Sequence, residues 1–181
     1  MSRRNVIIGT LGAIGLAIAA RLGLTSRRAV AESGAGAAAG ADFEPLSLPK
    51  SEWKKRLPPD AYGVLFEEDT EPPRSSPLDH EKRAGTFVCA ACALPLFESS
   101  AKFDSGTGWP SFFRPIAGHV ATRTDFKLIL PRTEYHCARC TGHQGHVFED
   151  GPPPTGLRYC NNGLALRFVP EGETLPPLVR S

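Results

Sequence analysis

Four of the five cysteines in this 181-residue chain fall into two equally spaced pairs, Cys89-Ala-Ala-Cys92 and Cys137-Ala-Arg-Cys140. A C-x2-C turn aims both sulfurs at one centre, and two such turns supply the corners of the tetrahedron that zinc prefers. The 44 residues between the pairs exceed the gap of a simple zinc ribbon, so a folded insertion lies there. The alternative is two disulfides, which an exported protein can form. Cysteines three apart on a tight knuckle are better oriented toward a shared metal than toward each other. The spacing therefore predicts one structural Zn²⁺ held by Cys89, Cys92, Cys137 and Cys140.

Export is suggested by the start of the chain. Residues 1–31 hold Arg3, Arg4, Arg21, Arg27 and Arg28 and no acid, then an apolar run over 6–20 and an A-x-A site at Ala29–Ala31. That order is a secretory signal, and Ser2-Arg3-Arg4-x-Val6-Ile7 looks like the twin-arginine (Tat) kind that exports folded proteins. The alternative, a retained membrane anchor, is disfavoured, because 15 positions fall short of the roughly 20 that span a bilayer. The expectation is an exported, periplasmic protein that meets the membrane only during export, unless the signal stays uncleaved. Outside the signal, 16 basic groups face 19 acidic ones without basic runs, which excludes nucleic acid as a partner. The small and Gly/Ala-rich stretch over 32–47 reads as a linker, 48–171 as one domain, and 172–181 as a tail. A monomer is expected.

All 17 prolines lie beyond residue 41, which favours short elements joined by loops. Ser51 is placed to cap a helix over 52–57, and Pro59 to open a second over 59–65. Short strands are predicted over 86–89, 120–124, 126–130, 133–137, 145–148 and 157–160. In 164–168, Leu164, Leu166 and Phe168 alternate with Ala165 and Arg167, the pattern of a half-buried strand. Closely spaced short strands point to antiparallel sheets rather than to βαβ units.

Cys160, in GLRYCNNG, belongs to neither knuckle. A leftover cysteine is either a small buried hydrophobe or a reactive thiol. On a strand, Arg158, Cys160 and Asn162 would share one face, and a guanidinium beside a thiol favours the thiolate. Upstream, GHQGHVFEDGPPPTG offers His143, His146 and Asp150 in a Gly/Pro-shaped loop, and DSGTGWPSF places Trp109 on another. Taken singly, each has a plain alternative: a structural histidine, a core tryptophan, a solvent-facing arginine.

Taken in order, CxxC, SGTGWPSF, CxxC and HxGHVFxDGPxPTGxRYCxN resemble the B-type methionine sulfoxide reductases, and SSPLDHEKRAGTF extends the likeness over 48–169. The resemblance implies a mainly β fold of two twisted antiparallel sheets (a β-tent), with short N-terminal helices outside and zinc away from the active site. It implies that Cys160 attacks the sulfur of methionine-R-sulfoxide in oxidised proteins or peptides and becomes a sulfenic acid. His146 and His143 would supply the proton for the oxygen, with Asn162 assisting. Trp109 would hold the substrate methyl, while Arg158 and Asp150 orient and tune the site.

Three positions depart from the family pattern. Thr107 stands where many members carry the cysteine that resolves the sulfenic acid, so a thioredoxin-like protein or a small thiol would have to recycle Cys160. Gly163 replaces a frequent serine, which would loosen the hydrogen bonding after Asn162. Gln144 replaces a usual leucine and makes the segment between the histidines more polar. Two rival classes are a non-catalytic zinc module, which would not need Cys160, His143, His146 and Trp109 together, and a thiol peroxidase, whose nucleophile would sit in a helical turn.

Overall fold

A computed structural model of the chain describes residues 43–127 and 130–181. The expected export signal, the expected linker up to residue 42, and residues 128–129 of the expected strand over 126–130 lie outside the described residues. Among the described residues, no helix is long and apolar enough to cross a membrane.

Among the described residues two short helices come first, α1 (Lys50–Arg56) and α2 (Pro59–Glu67). Pro58 and Pro59 part them, since proline cannot continue a helix but fits a first turn, where its missing N–H is not needed. Ser51 is not the cap: α1 begins one residue earlier, and the Pro49 carbonyl accepts from the N–H groups of Glu52 and Trp53. Glu68, in the left-handed region at φ 59°, closes α2. Trp53 is buried beneath Phe66, the rings stacked 5.1 Å apart.

Nine strands follow among the described residues: β1 (Gly85–Cys89), β2 (Pro95–Glu98), β3 (Lys102–Phe103), β4 (Ser111–Phe112), β5 (Val120–Asp125), β6 (Arg132–Cys137), β7 (His143–Phe148), β8 (Arg158–Asn161) and β9 (Leu166–Pro170). They make two antiparallel sheets, β2-β1-β9 and β3-β4-β8-β7-β6-β5, so the two-sheet expectation holds. Between them sits an aromatic core. Phe97 stacks on Phe112 at 4.1 Å, Phe87 meets Phe112 edge-on at 4.9 Å, and Tyr135 meets Tyr159 at 5.2 Å. Alternation on β8 sends Tyr159 inward and Cys160 to the other face, as period two requires.

Several expected boundaries shift. Phe126, Lys127 and Leu130 lie in no strand: the Asp125 side chain accepts from the Lys127 N–H and turns the chain, leaving Phe126 and Leu130 each 75% exposed. Strand β9 begins at Leu166, because a 3-10 turn over Gly163–Ala165 precedes it. The end of the expected linker is packed: Leu46 is buried and its N–H donates to the Arg139 carbonyl. The expected tail is packed too, with Val179 N–H donating to the Cys92 carbonyl and Arg139 Nη2 to the Val179 carbonyl.

Candidate functional site

Both knuckles have one backbone design. Cys89 and Cys137 end β1 and β6, and each carbonyl accepts from a residue four further on, Ala93 and Thr141, at 2.9 Å. Ala93 and Thr141 sit at φ 65° and 59°, the tight reversal that turns both sulfurs inward. The four Sγ atoms lie within 4.8 Å of one another, all in buried residues. The approaches run between knuckles, Cys89 to Cys140 at 3.7 Å and Cys92 to Cys137 at 3.5 Å, and all five cysteines are free thiols. Four sulfurs about 2.3 Å from a common ion stand roughly 3.8 Å apart in a tetrahedron. The donor set thus fits a structural metal, and this metal would tie β1 of one sheet to β6 of the other.

The candidate catalytic residues lie on one face of the six-stranded sheet. In register across it run Arg123, Glu134, His146, Cys160 and Ser111. Directly paired residues share a face, so His146 is the cross-strand neighbour of Cys160. Both histidines belong to β7, which starts two residues before the strand expected over 145–148 and so takes in His143 as well. Residues three apart on a regular strand would point to opposite faces. A bulge at Gln144 corrects this, because Gly145 pairs Tyr135 while His143 pairs His136. His143 and His146 consequently share a face with their rings 5.5 Å apart. Gly145 is required here: a Cβ would collide with the Cys160 carbonyl oxygen.

A cavity of about 150 Å³ opens on this face, lined by Trp109, His146, Cys160, Asn162, Arg132 and Phe148 among others. That is well below the roughly 300–1,000 Å³ typical of cofactor and drug-sized sites, so it suits a single side chain. A larger groove of about 1120 Å³, along Leu57, Pro77, Leu164 and Phe168, has neither a cysteine nor a histidine on its walls. The structure therefore gathers Cys160, His146, Trp109 and Asn162 around one cavity and sets His143 behind His146. Asp150 and Arg158 lie outside the lining: Arg158 donates twice to Asp150 at 2.8 Å and lies 4.3 Å from the Phe148 ring centroid.

Sequence reasoning missed the groups that hold these residues. Asp125 accepts from His146 Nε2 at 2.8 Å and from Arg132 at 2.6 Å. Glu134 accepts from His143 Nδ1 at 2.8 Å and lies 3.2 Å from His136 Nδ1. Glu71 fixes the far wall. Its carbonyl accepts from Trp109 Nε1 at 3.1 Å, its N–H donates to Asn162 Oδ1 at 3.1 Å, and its carboxylate accepts from the Gly163 and Leu164 N–H groups. The loosening expected at Gly163 does not occur, and a Cβ there would strike Ser76 Oγ.

Burial pushes the Cys160 thiol up, and Arg158 and a hydrogen bond from Thr107 only partly offset it. The guanidinium acts in the expected direction but does not prevail, so the resting group is a thiol. Burial pushes His146 down, partly countered by its bond to Asp125, so the ring rests neutral at neutral pH. Asp125 is held well below the ordinary carboxylate range by the Lys127 N–H, His146 and Arg132. Burial raises Glu134, but the bonds from His136 and His143 outweigh it and hold the group at about 2. With Asp125 ionised, His146 carries its proton on Nε2 and leaves Nδ1 able to accept one.

A closed four-cysteine cluster, and a half-buried cysteine with a histidine across the strand, are features of an oxidoreductase on a two-sheet β fold. Residues 57–170 match the SelR domain. The chain is 53% identical over 123 residues to the peptide methionine sulfoxide reductase MsrB of Bradyrhizobium diazoefficiens, covering 67% of this chain and 88% of that one. It is 52% identical over 120 residues to MsrB of Pseudomonas putida (66% and 90% covered) and 48% over 129 residues to MsrB of Pseudomonas fluorescens (71% and 99%). The chain belongs to the SelR-domain family, the MsrB-type methionine sulfoxide reductases.

Proposed function

We propose that the protein reduces methionine-R-sulfoxide in oxidised proteins or peptides, with Cys160 as nucleophile and His146 as proton carrier. The observation that carries this reading is the cross-strand pairing of Cys160 with His146 inside a cavity walled by Trp109 and Asn162. His146 Nδ1 takes the thiol proton and gives it to the sulfoxide oxygen as the Cys160 sulfur attacks the substrate sulfur. The S–S bond formed by this attack is transient: the substrate S–O bond breaks, the protonated oxygen passes to the Cys160 sulfur, and the S–S bond breaks to free methionine. Two electrons pass from the thiol to the substrate sulfur, leaving methionine and a Cys160 sulfenic acid. Asn162, held by Glu71 and by the Gln144 carbonyl, steadies the cavity wall, and His143 steadies His146 from behind. The Trp109 ring, fixed by its bond to Glu71, offers the flat apolar wall that favours one epimer. Arg158, clamped by Asp150, favours the thiolate as it forms.

The metal is a structural zinc on Cys89, Cys92, Cys137 and Cys140, a choice supported by a donor set of four thiolates. Those thiols being committed, the sulfenic acid has no internal partner. Thr107 holds a hydroxyl instead, in a chain with Ser105 and Ser111 at 2.8 Å steps. Two equivalents of an outside thiol, from a thioredoxin-like protein or a small thiol, then restore Cys160 and release water and a disulfide. The Tat-like opening supports export to the periplasm before this work is done.

One experiment tests the reading. A methionine-R-sulfoxide peptide should be consumed and its S epimer left untouched. After one turnover without reductant, dimedone should label Cys160 alone. Equal rates on both epimers would remove the family chemistry, and a disulfide from Cys160 to a knuckle cysteine would remove the outside-thiol route.

A further inference from the structure

Gln144 belongs neither to the metal cluster nor to the cavity lining, yet it is bonded toward both. Its side chain is fully buried at the β7 bulge. Nε2 donates to Cys89 Sγ at 3.6 Å and to the Gly142 carbonyl at 3.5 Å, while Oε1 accepts from Asn161 Nδ2 at 3.5 Å. The amide orientation is therefore set by its surroundings, with nitrogen toward two acceptors and oxygen toward a donor. The Gln144 carbonyl also accepts from the Asn162 N–H at 2.8 Å and from Asn162 Nδ2 at 3.1 Å. Asn161 and Asn162 directly follow Cys160.

We propose that Gln144 is a positioning residue that couples the metal cluster to the catalytic strand, bonding a ligand sulfur on one side and the two asparagines after Cys160 on the other. Four thiolates around a divalent ion leave a buried net negative charge, and an N–H donor aimed at one sulfur lowers the cost of holding it. The same side chain receives the Asn161 amide, whose oxygen accepts from Tyr135 Oη at 2.6 Å. A shift of Cys89 as the metal is gained, lost or exchanged thus passes through one rigid amide to the residues that hold Cys160 in place. An apolar side chain of the same size would fill the volume and transmit neither bond. The inference rests on the reading that the four knuckle cysteines hold a metal ion.

The test uses the full, metal-loaded chain and two shape-conserving variants, Gln144→Leu and Gln144→Met. Competition with a chromophoric chelator should show metal affinity about tenfold or more weaker, the scale on which groups behind a metal ligand act. In the cobalt-substituted protein the thiolate-to-metal charge-transfer band should shift, a change that simple loss of packing would not cause. For the sulfoxide peptide, kcat should fall while KM holds. Affinity within twofold of wild type and an unmoved cobalt band in both variants would reduce Gln144 to a space filler. Should neither variant fold, the wild type decides. Exchanging zinc for the larger cadmium should change the rate of Cys160 alkylation by iodoacetamide at least twofold, and equal rates would overturn the coupling. Wild-type protein purified without metal would overturn the metal reading together with this one, whereas unaltered variants of a metal-loaded protein overturn this one alone.

Discussion

Cys89, Cys92 and Cys137 expose no surface and face one another with Cys140, whereas Cys160 opens on a cavity of about 150 Å³ with a histidine across the strand. The two regions use the same side chain for opposite ends. In the cluster every sulfur has three others around it and no space for a substrate. At Cys160 the thiol has an imidazole across the strand and shares its cavity with the Trp109 ring. Reactivity is thus a property of the surroundings: closure with like groups makes a cysteine structural, and a gap beside a base makes it chemical.

Replacing Cys160 should break this comparison most sharply. Cys160→Ser should lower sulfoxide reduction by roughly 10³-fold or more, as loss of a nucleophile does, with circular dichroism and metal content unchanged. Turnover within tenfold of wild type would move the chemistry elsewhere.

The converse change acts on the fold. Cys92→Ser should release the metal and lower the unfolding midpoint in urea by a clearly measurable amount, a share of the roughly 10–16 kcal/mol such sites contribute in isolated fingers. In the intact protein iodoacetamide should modify Cys160 alone. Equal labelling of a knuckle cysteine would erase the distinction.

His146→Ala should cost about 10²-fold in kcat/KM, within the usual range of positioned proton carriers, while leaving metal content untouched. A rate equal to wild type would assign the proton to another group.

The smallest effect concerns pH. The proposed mechanism needs one proton shared by the Cys160–His146 pair. Its acid limb should lie below pH 6.5, because burial lowers His146, and its alkaline limb above pH 9.0, because burial raises Cys160. A carboxylate beside an imidazole favours the charged ring. Asp125→Asn should therefore move the acid limb to still lower pH at a modest cost in rate. A shift upward would show that Asp125 does not act through His146.

Legibility in the sequence divides along the same line. The knuckles were readable from their spacing, and Cys160, Trp109, Asn162 and the histidine pair were singled out because their short runs, taken in order, resemble a known family. Asp125, Glu134 and Glu71 were not. Acids on short strands or in a loop look like solvent-facing positions until β6 is seen to lie between β5 and β7 and Glu71 to reach Gly163 across 92 residues. Leu46 and Val179 were missed because isolated apolar residues among prolines and glycines show no period. The apolar run after Asp125 misled in the other direction, since a side-chain bond to Lys127 N–H makes a turn where hydrophobicity alone suggests a strand.

The bulge in β7 has a consequence for what the chain tolerates. Strand faces are a matter of parity, and the unpaired residue at 144 is what makes an odd interval between the two histidines behave as an even one. Changing the identity of that residue leaves the parity alone. Removing it, or adding a second beside it, flips every side chain on one arm of the strand and delivers an imidazole to the aromatic core. At this position a substitution changes bonds, whereas an insertion or a deletion changes the face that every neighbour takes.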